Sequence, residues 1–348
     1  MSLIYGQDEP TQAPFLSDAK KFDLIKSFYG IQSGQLINLS GYEDINFRLT
    51  NIAPDDVVDD VVVKISNPIE ARDSRHLDLQ NDICQTLNNQ GIPAPELVPM
   101  TDGKMWAYIN VQTEQLPIRM FKTLPGDVLE KFEIDEGFLI KIGSMISQMH
   151  QVFDERQYET SHLPFISADN FDCFFREIEI LSSRKMLDED KSNLAIRFLK
   201  DYKENIYNRR DSLDVGLIHS DLNETNILIC PDDNNELQIS GVLDFGDVHV
   251  SYRGCDIAAC ALYLYLCDSK LSLQTIISRL VKGYEMNKQF NDRHLLMYCI
   301  RARLVCSLIY GLRTNRLSVR PDNPDYILKT QSNGWKVLKE LSDMKGSD

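Results

Sequence analysis

Two short motifs, whose residues Asn226 and Asp244 are 18 positions apart, contain the residues best suited to chemistry. HSDLNETN (219–226) supplies Asp221 and Asn226, and LDFGD (243–247) supplies Asp244. A phosphoryl group carries spread negative charge during transfer, so catalysis consists mainly of positioning and charge neutralisation. Asp221 could accept or orient the proton of an attacking hydroxyl, and Asn226 and Asp244 offer the hard oxygen ligands that Mg²⁺ prefers. The spacing therefore predicts phosphoryl transfer to a hydroxyl group.

A lysine far upstream would complete this set. Lys64 lies near the end of VVVKIS (61–66), which has the composition of a strand. An ammonium group held on a strand could supply a point charge to the α- and β-phosphates of a nucleotide. Each of these residues also has an ordinary structural use, since Asp and Asn form turns and a lysine often ends a strand. Only the combination of both motifs with Lys64 favours catalysis.

The elements that must position these residues fall into two groups. Before Gly126 the pattern predicts a small, mostly antiparallel lobe. Its elements are helices at 18–31 and 72–90, and strands at 36–50, 61–66, 106–111 and 116–121. LPG (124–126) then breaks the chain.

Beyond Gly126 the pattern becomes helical. Apolar residues recur every three or four positions across 135–153, and 171–208 predicts one or two further helices. LIHSDL, NILIC, LQIS and GVLDF predict short strands among the helices. We therefore expect an α+β, bilobal protein of two domains: a nucleotide-binding lobe at 1–123 with an N-terminal helix, and a helical lobe at 124–348.

Composition limits the classes of partner. The chain has 348 residues, with 37 Lys and Arg against 52 Asp and Glu, for a net charge of −15. This argues against nucleic acid or an anionic membrane as the main partner. The apolar run 257–267 is too short to span a bilayer and predicts a buried helix. Eight scattered cysteines and no basic signal region predict reduced thiols in a cytoplasmic monomer or homodimer.

Several longer stretches resemble a known superfamily. SGYEDINFRL, VVVKISNP, HSDLNETNILI, ISGVLDFGD and PDYILKTQSNGWKVL, spread over about residues 36–340, are similar to the aminoglycoside phosphotransferase/choline kinase superfamily. Within it, the chain is most similar to the hydroxylysine kinases. The resemblance implies a protein-kinase-like fold, with GTP or ATP as donor, Mg²⁺, and 5-hydroxy-L-lysine as acceptor. It also implies that Asp221 is the base, Asn226 and Asp244 bind metal, and Lys64 contacts phosphates.

The nucleotide site departs from the protein-kinase pattern. SGYEDIN (40–46) has one glycine, where a protein kinase has GxGxxG. We predict nucleotide contacts from this loop, with a plain hairpin turn as the equal alternative. The base is expected along the backbone around Met120–Leu124. The predicted nucleotide-contacting residues are Ser40, Gly41, Tyr42, Asn46, Phe121 and Thr123.

Supporting residues can also be proposed. Kinase-like folds pair the strand lysine with a helical glutamate, and here we expect Asp78, on the helix after Lys64, rather than Glu70, which lies before that helix. By the resemblance, Asp256 in GCDIA braces the catalytic loop. His219 is expected to support the loop backbone rather than transfer protons, and His150 to pack or cap.

An amino-acid substrate would need a cation for its carboxylate and acids for its amines. Arg303 interrupts an apolar stretch and could be that cation, with a snorkelling arginine as the alternative. Asp247 and Glu224 could face an ammonium group. Asn170 could line the pocket or cap a helix. The partners expected are thus a nucleoside triphosphate and a small cationic hydroxylated substrate.

Other functions remain open at this point. A kinase for choline, ethanolamine, homoserine or an aminoglycoside would carry the same motifs, and a catalytically inactive nucleotide-binding module could retain them. A protein kinase is disfavoured, because LDFGD reaches GCDIA within ten residues and leaves no room for an activation segment.

Overall fold

The computed structural model describes residues 8–52, 60–267, 270–318 and 327–344. Its N-terminal part is built on an antiparallel sheet with the strand order β1-β2-β3-β5-β4. The strands are β1 Gln35–Leu39, β2 Ile45–Thr50, β3 Val61–Ile65, β4 Ala107–Val111 and β5 Glu114–Lys122. Helix α1 (Asp18–Tyr29) precedes the sheet, and α2 (Ser74–Asn89) follows β3.

The alternation of side chains along β3 decides where Lys64 points. Val61, Val63 and Ile65 are fully buried on one face of the sheet. Successive strand residues point to opposite faces, so Lys64 lies on the other one. The register sets Lys64 opposite Asn46 on β2 and opposite Arg119 on β5. The strand thus holds its single lysine away from the core of the sheet.

The rest of the chain is mainly helical. Its helices are α3 Glu136–Arg156, α4 Phe171–Ser183, α5 Glu189–Asn205, α6 Gly254–Leu266, α7 Leu273–Tyr284, α8 Leu296–Leu317 and α9 Gly334–Asp343. A β-carbon added to Gly143 would lie 2.0 Å from the carbonyl oxygen of Leu280, and one added to Gly283 would lie 2.0 Å from that of Ile140. Helices α3 and α7 therefore pack backbone against backbone, which glycine alone permits.

Small sheets are set among these helices and carry both motifs. Strands β6 (Asp127–Val128), β8 (Ile227–Pro231) and β9 (Leu237–Val242) form one sheet, and β7 (Val215–Ile218) pairs with β10 (His249–Tyr252). The first motif connects β7 to β8, and the second connects β9 to β10. Antiparallel pairing of β7 with β10 and of β8 with β9 brings the two connections together.

The predicted architecture is confirmed: an antiparallel sheet comes first and a helical remainder follows. Two local predictions were wrong. LQIS and the first two residues of GVLDF form the single strand β9, which ends at Val242, and β10 lies in a stretch for which we predicted no strand. The domain boundary at 123/124 stays a prediction, and the core does not divide cleanly there. Ile83 and Leu87 of α2 pack with the helical core rather than with the sheet.

The longest apolar helix is a core element. Residues Arg293–Leu317 are long and apolar enough to cross a membrane, yet 83% of the apolar window is buried within the protein. The predicted buried helix at 257–267 corresponds to α6, whose residues Ile257–Leu262 are almost completely inaccessible. All eight cysteines are free thiols. Cytoplasmic location stays a prediction.

Candidate active site

Asp221 lies at the centre of the first motif, in the loop between β7 and β8 (the catalytic loop, residues 219–226). Its Oδ2 accepts hydrogen bonds from the side-chain amides of Asn223 at 2.9 Å and Asn226 at 3.1 Å. Its Oδ1 accepts one from Nη2 of Arg303 at 2.5 Å. Asn226 Nδ2 also donates to the backbone carbonyl of Asp221 at 2.9 Å. Both carboxylate oxygens of Asp221 therefore accept hydrogen bonds from neighbouring side chains.

The backbone of this loop is fixed by a buried aspartate. Asp256, at the start of α6, accepts the backbone N–H groups of His219 at 2.9 Å and Ser220 at 2.7 Å. His150 contacts the same carboxylate at 2.9 Å. Burial alone would raise the pKa of Asp256, but these hydrogen bonds and the two nearby histidines lower it. Asp256 thus lies where the predicted brace should be.

Two histidines complete this support. His150 is fully buried, and its second ring nitrogen lies 2.8 Å from the hydroxyl of Tyr284. The ring of His219 reaches the carbonyl of Leu243, in the second motif, at 2.9 Å. His219 therefore ties one motif to the other through the backbone, as expected for a support rather than a proton carrier.

Lys64 meets the second motif from across the cleft. Its Nζ lies 2.9 Å from Oδ1 of Asp244, 180 residues away, and 2.8 Å from Oδ2 of Asp44. Burial would lower the pKa of Lys64, but the carboxylates of Asp244, Asp44 and Glu70 raise it well above its ordinary value. Lys64 and the metal-binding candidate Asp244 are thus in direct contact.

Asp44 was not among the predicted site residues. Its Oδ1 accepts hydrogen bonds from the backbone and side-chain nitrogens of Asn67 at 2.8 and 2.9 Å, and its side chain is 12% exposed. The one sequence feature that could have indicated it is its place in the SGYEDIN loop, two residues before Asn46, which faces Lys64 in the register.

The expected pairing of Lys64 with Asp78 is not formed. Asp78 is exposed and accepts a hydrogen bond from Nε1 of Trp106 at 2.9 Å. Glu70 lies on the correct side instead, in a short 3₁₀ turn (Glu70–Arg72) between β3 and α2. A β-carbon added to Gly246 would lie 3.8 Å from both Glu70 Oε1 and Lys64 Nζ. Because this turn folds back, Glu70 lies at the cleft although it precedes α2 in the sequence.

Glu70 is held there by a buried arginine. It forms an ion pair with Arg119 of β5 at 3.1 Å, and both side chains are at most 5% exposed. Gln80 also donates to Glu70. Burial would raise the pKa of Glu70, but Lys64 and Arg119 lower it strongly. The acid is therefore a carboxylate at neutral pH, and it adds negative charge around Lys64.

The segment 40–46, which comprises the loop between β1 and β2 and the first two residues of β2, crosses the cleft to α8; we call it the nucleotide loop after its predicted role. The ring of Tyr42 stacks on Tyr310 with centroids 5.3 Å apart, and its hydroxyl donates to the carbonyl of Ile327 at 3.1 Å. Tyr310 also donates to Glu43. A β-carbon added to Gly41 would lie 2.7 Å from the carbonyl oxygen of Asp44, so the single glycine permits the tight turn. Ser40 occupies the same turn.

The predicted base-binding segment lies at the end of β5. Phe121 bridges to Leu97, and Lys122 N–H donates to the carbonyl of Glu96 at 2.8 Å. Thr123 N–H donates to the carbonyl of Asp60 at 3.3 Å, and its buried hydroxyl has no hydrogen-bond partner among the residues that the structure describes. Contact of Phe121 and Thr123 with a base stays a prediction.

Asp247 joins the acidic side of the site. Burial, together with the carboxylates of Asp221 and Asp244, raises the pKa of Asp247 to about 8, and Arg303 opposes this. Glu43 shows the same pattern: its pKa rises to about 8, through burial and the nearby Asp44 and Asp247. Several carboxylates thus converge, an arrangement that cations would stabilise.

Two predicted substrate residues lie elsewhere. Glu224 forms an ion pair with Lys329 at 3.3 Å, and Lys329 also binds Glu130 at 2.7 Å. Asn170 is buried at the start of α4, without a side-chain capping bond, and interacts with Cys173. Of the four predicted substrate residues, Arg303 and Asp247 are those within interaction range of Asp221.

A divalent cation fits the oxygen donors between the motifs. Because the amide nitrogen of Asn226 is committed to Asp221, its carbonyl oxygen is the atom that could bind a cation. Asp244 remains 46% exposed on its side chain and is a carboxylate, since Lys64 lowers its pKa against the effect of burial. Amide and carboxylate oxygens are suitable ligands for Mg²⁺.

Comparisons with known proteins identify the family to which this sequence and fold are similar. Residues 36–277 match the sequence model of the phosphotransferase enzyme family. Hydroxylysine kinase from Mus musculus is 24% identical over 97% of this chain and 92% of its own length. An amicoumacin kinase solved with AMP-PNP and Ca²⁺ superposes with a TM-score of 0.68 at 16% identity, over 96% of each chain. A microcompartment-associated aminopropanol kinase gives 0.64 at 13% identity, over 93% of this chain and 98% of its own.

Proposed function

This chain belongs to the phosphotransferase enzyme family, and from that premise we propose that it transfers the γ-phosphoryl group of GTP or ATP to the hydroxyl of a small cationic amino alcohol or amino acid. The first acceptor to test is 5-hydroxy-L-lysine. That choice is supported by the hydroxylysine kinases from several vertebrates, which are 23–24% identical over nearly the whole chain.

The observation that carries the proposal is the meeting of four separate residues. Asp221 and Asn226 share a hydrogen bond at 3.1 Å, and Lys64 contacts Asp244 at 2.9 Å from the opposite lobe. The ring of His219 joins the two motifs through the carbonyl of Leu243. Base, metal ligands and phosphate cation thus form one cleft, which is what phosphoryl transfer requires.

Each residue has a definite task in this proposal. Asn226 and Asp244 would hold Mg²⁺, which neutralises phosphate oxygens when bound. Lys64 would exchange its contact with Asp44 for the α- and β-phosphates. Asp221 would accept the proton of the substrate hydroxyl, whose oxygen bonds to the γ-phosphorus as the bond to the bridging oxygen breaks. Positioning and charge neutralisation supply most of the rate.

The acidic side of the cleft supports a cationic acceptor. Burial, reinforced by neighbouring carboxylates, raises the pKa of both Asp247 and Glu43 to about 8. A substrate ammonium group would supply the opposing charge. Asp247 therefore keeps its proposed substrate role, whereas the ion pair of Glu224 with Lys329 makes that residue a poorer choice.

An inactive nucleotide-binding module is the second function to test. It is favoured by one observation, the pairing of Lys64 with Asp44, which neutralises the lysine that would bind phosphates. Thermal unfolding with Mg²⁺ and either nucleotide separates the two functions in part, because a ligand that binds the folded state raises Tm. Nucleotide binding without turnover on any acceptor would favour the inactive module.

The deciding experiment measures phosphorylation of hydroxylated amines with GTP and with ATP. The panel contains 5-hydroxy-L-lysine, choline, ethanolamine, homoserine and an aminoglycoside. Turnover of 5-hydroxy-L-lysine is expected, and turnover of choline alone would overturn the choice of acceptor. Asp221→Ala should lower kcat by roughly 10³-fold or more, since a general base commonly contributes 10²–10⁴-fold. Asp233→Ala, on an exposed turn of the same lobe, is the matched control.

A further inference from the structure

We propose that Arg303 is a positioning residue for Asp221, and that it selects Oδ1 of that carboxylate as the oxygen that accepts the substrate's hydroxyl proton. This rests on the proposed function, because it assumes that Asp221 acts on a hydroxyl. It also replaces our prediction from the sequence that Arg303 binds the carboxylate of the substrate.

The first observation is the contact itself. Nη2 of Arg303 donates to Oδ1 of Asp221 at 2.5 Å, and the two side chains are 10% and 23% exposed. Hydrogen bonds between ionised groups are shorter and stronger than neutral ones, and burial reduces their screening. Arg303, on α8, therefore fixes one carboxylate oxygen of Asp221, which lies 82 residues earlier in the sequence.

The second observation is that the guanidinium is itself held. Its Nε donates to the hydroxyl of Tyr263 at 3.2 Å, and that hydroxyl lies 2.5 Å from Oγ of Ser307, one turn further along α8. The guanidinium also lies over the ring of Tyr263, 5.4 Å from its centroid. Tyr263 belongs to α6, the helix that carries Asp256. One helix thus supports both the backbone of the catalytic loop and the arginine that orients its side chain.

The third observation is the number of hydrogen-bond acceptor sites on Asp221 that are already occupied. An ionised carboxylate offers about four acceptor sites, two on each oxygen. Asn223 and Asn226 occupy both sites of Oδ2. Arg303 occupies one site of Oδ1, which leaves one for a hydroxyl donor. The substrate hydroxyl must therefore approach Oδ1, beside the guanidinium.

Loss of Arg303 should consequently affect the chemical step more than substrate binding. Without the guanidinium, the carboxylate can rotate and both its oxygens compete for the available donors. Misplacement of a reacting group by about 1 Å can cost about 100-fold in rate. A lysine cannot replace Arg303 fully, because it lacks the planar fork that contacts Asp221 and Tyr263 together.

The test uses Arg303→Ala, Arg303→Lys and Tyr263→Phe in the full-length protein, assayed with two acceptors. These are 5-hydroxy-L-lysine and its decarboxylated hydroxydiamine. We expect Arg303→Ala to lower kcat about 100-fold on both acceptors and to change KM less than about threefold. Arg303→Lys should recover part of the loss, and Tyr263→Phe should lower kcat severalfold. Added guanidinium should raise the kcat of Arg303→Ala.

The matched control is Arg301→Ala, two residues earlier on the same helix. Arg301 donates to the backbone carbonyls of Leu341 and Met344, away from Asp221, so its removal should leave kcat unchanged. Thermal unfolding of each variant separates loss of fold from loss of positioning, and Arg303→Lys preserves the charge if Arg303→Ala fails to fold.

Two results would overturn the inference. One is a kcat close to wild type in Arg303→Ala. The other is a loss that appears in KM and only with the acceptor that carries a carboxylate, which would make Arg303 a substrate ligand. If the wild-type protein phosphorylates neither acceptor, the proposed substrate is wrong. The variants are then compared on hydrolysis of the nucleotide by water, where Arg303→Ala must still lower kcat for the inference to stand.

Discussion

The catalytic loop and the nucleotide loop face each other across the cleft and are held in opposite ways. The catalytic loop is fixed by buried groups of its own lobe, above all by Asp256, which is completely inaccessible. The tip of the nucleotide loop is held by contacts that cross the cleft, from Tyr42 and Glu43 to Tyr310. The first loop is thus fixed within its own lobe, whereas the second depends on contacts with the opposite lobe.

Asp44 shows this difference most clearly. In the catalytic loop, the carboxylate of Asp221 is bound by donors that leave one acceptor site open. In the nucleotide loop, the carboxylate of Asp44 binds the same lysine that a nucleotide's phosphates would need. It accepts two hydrogen bonds from Asn67 as well. Without a nucleotide, the carboxylate of Asp44 therefore forms an ion pair with the ammonium group of Lys64.

The largest effect is expected from the rigid loop. Asp256→Ala leaves two buried N–H groups and His150 without their acceptor, and each unsatisfied buried donor costs about 1–3 kcal/mol. We expect a loss of about 3 kcal/mol in the free energy of unfolding and a fall in kcat of about 100-fold. Urea unfolding and steady-state kinetics measure the two quantities.

Asp256→Asn keeps one acceptor oxygen and should give an intermediate loss. Asp233→Ala, on an exposed turn, is the control for removing a carboxylate. A normal kcat in a folded Asp256→Ala protein would contradict the view that the catalytic loop depends on this brace.

A smaller effect, of the opposite sign, is expected from the nucleotide loop. Asp44→Asn removes a carboxylate that competes for Lys64 and repels phosphates, while an amide oxygen can still accept from Asn67. We expect nucleotide to bind about three- to tenfold more tightly, which corresponds to roughly 0.6–1.4 kcal/mol. Isothermal titration calorimetry with the Mg²⁺–nucleotide complex measures the Kd.

Asp102→Asn is the matched control, since Asp102 is exposed in the same lobe and pairs with Lys104 away from the cleft. Weaker binding by Asp44→Asn would show that Asp44 assists the nucleotide or its metal, and would remove the contrast between the two loops.

The smallest effect is a pH dependence at the tip of the nucleotide loop. Burial raises the pKa of Glu43 from its ordinary 4.5 to about 8. Between these values the folded protein binds more protons at this site than the unfolded chain, so its contribution to stability falls as pH rises. Glu43→Gln should therefore match wild type near pH 5 and unfold a few degrees higher near pH 8.

Thermal unfolding of wild type and Glu43→Gln across pH 5–8 measures the difference in Tm between the two proteins. The buried histidines are the same in both proteins, so their contributions cancel in this difference. A constant difference in Tm over the whole range would mean that Glu43 does not titrate as inferred and that the tip is less enclosed than the contacts of Glu43 indicate.

Local patterns were sufficient for much of the fold. The β-branched run at 61–63 predicted β3, because strand composition is a property of adjacent residues, whereas the face on which Lys64 lies came from the structure. Helical periodicity predicted α3, and the continuous apolar run 257–267 predicted the buried helix α6. The strand β10 was missed because its four residues are too few to show a period. LQIS and GVLDF were divided at Gly241, although the strand continues through that glycine to Val242.

The sequence by itself determined the two short motifs that carry the predicted reacting groups, Asp221, Asn226 and Asp244. Only the tertiary structure decided their partners. Glu70 rather than Asp78 approaches Lys64, because a 3₁₀ turn folds back and Arg119 holds the acid in place. Arg303 reaches Asp221 because α8 packs against α6 beneath the catalytic loop. Contacts between distant segments depend on how the helices and the sheet pack. The periodicity of apolar residues shows which face of an element is buried, but not which other element packs against it.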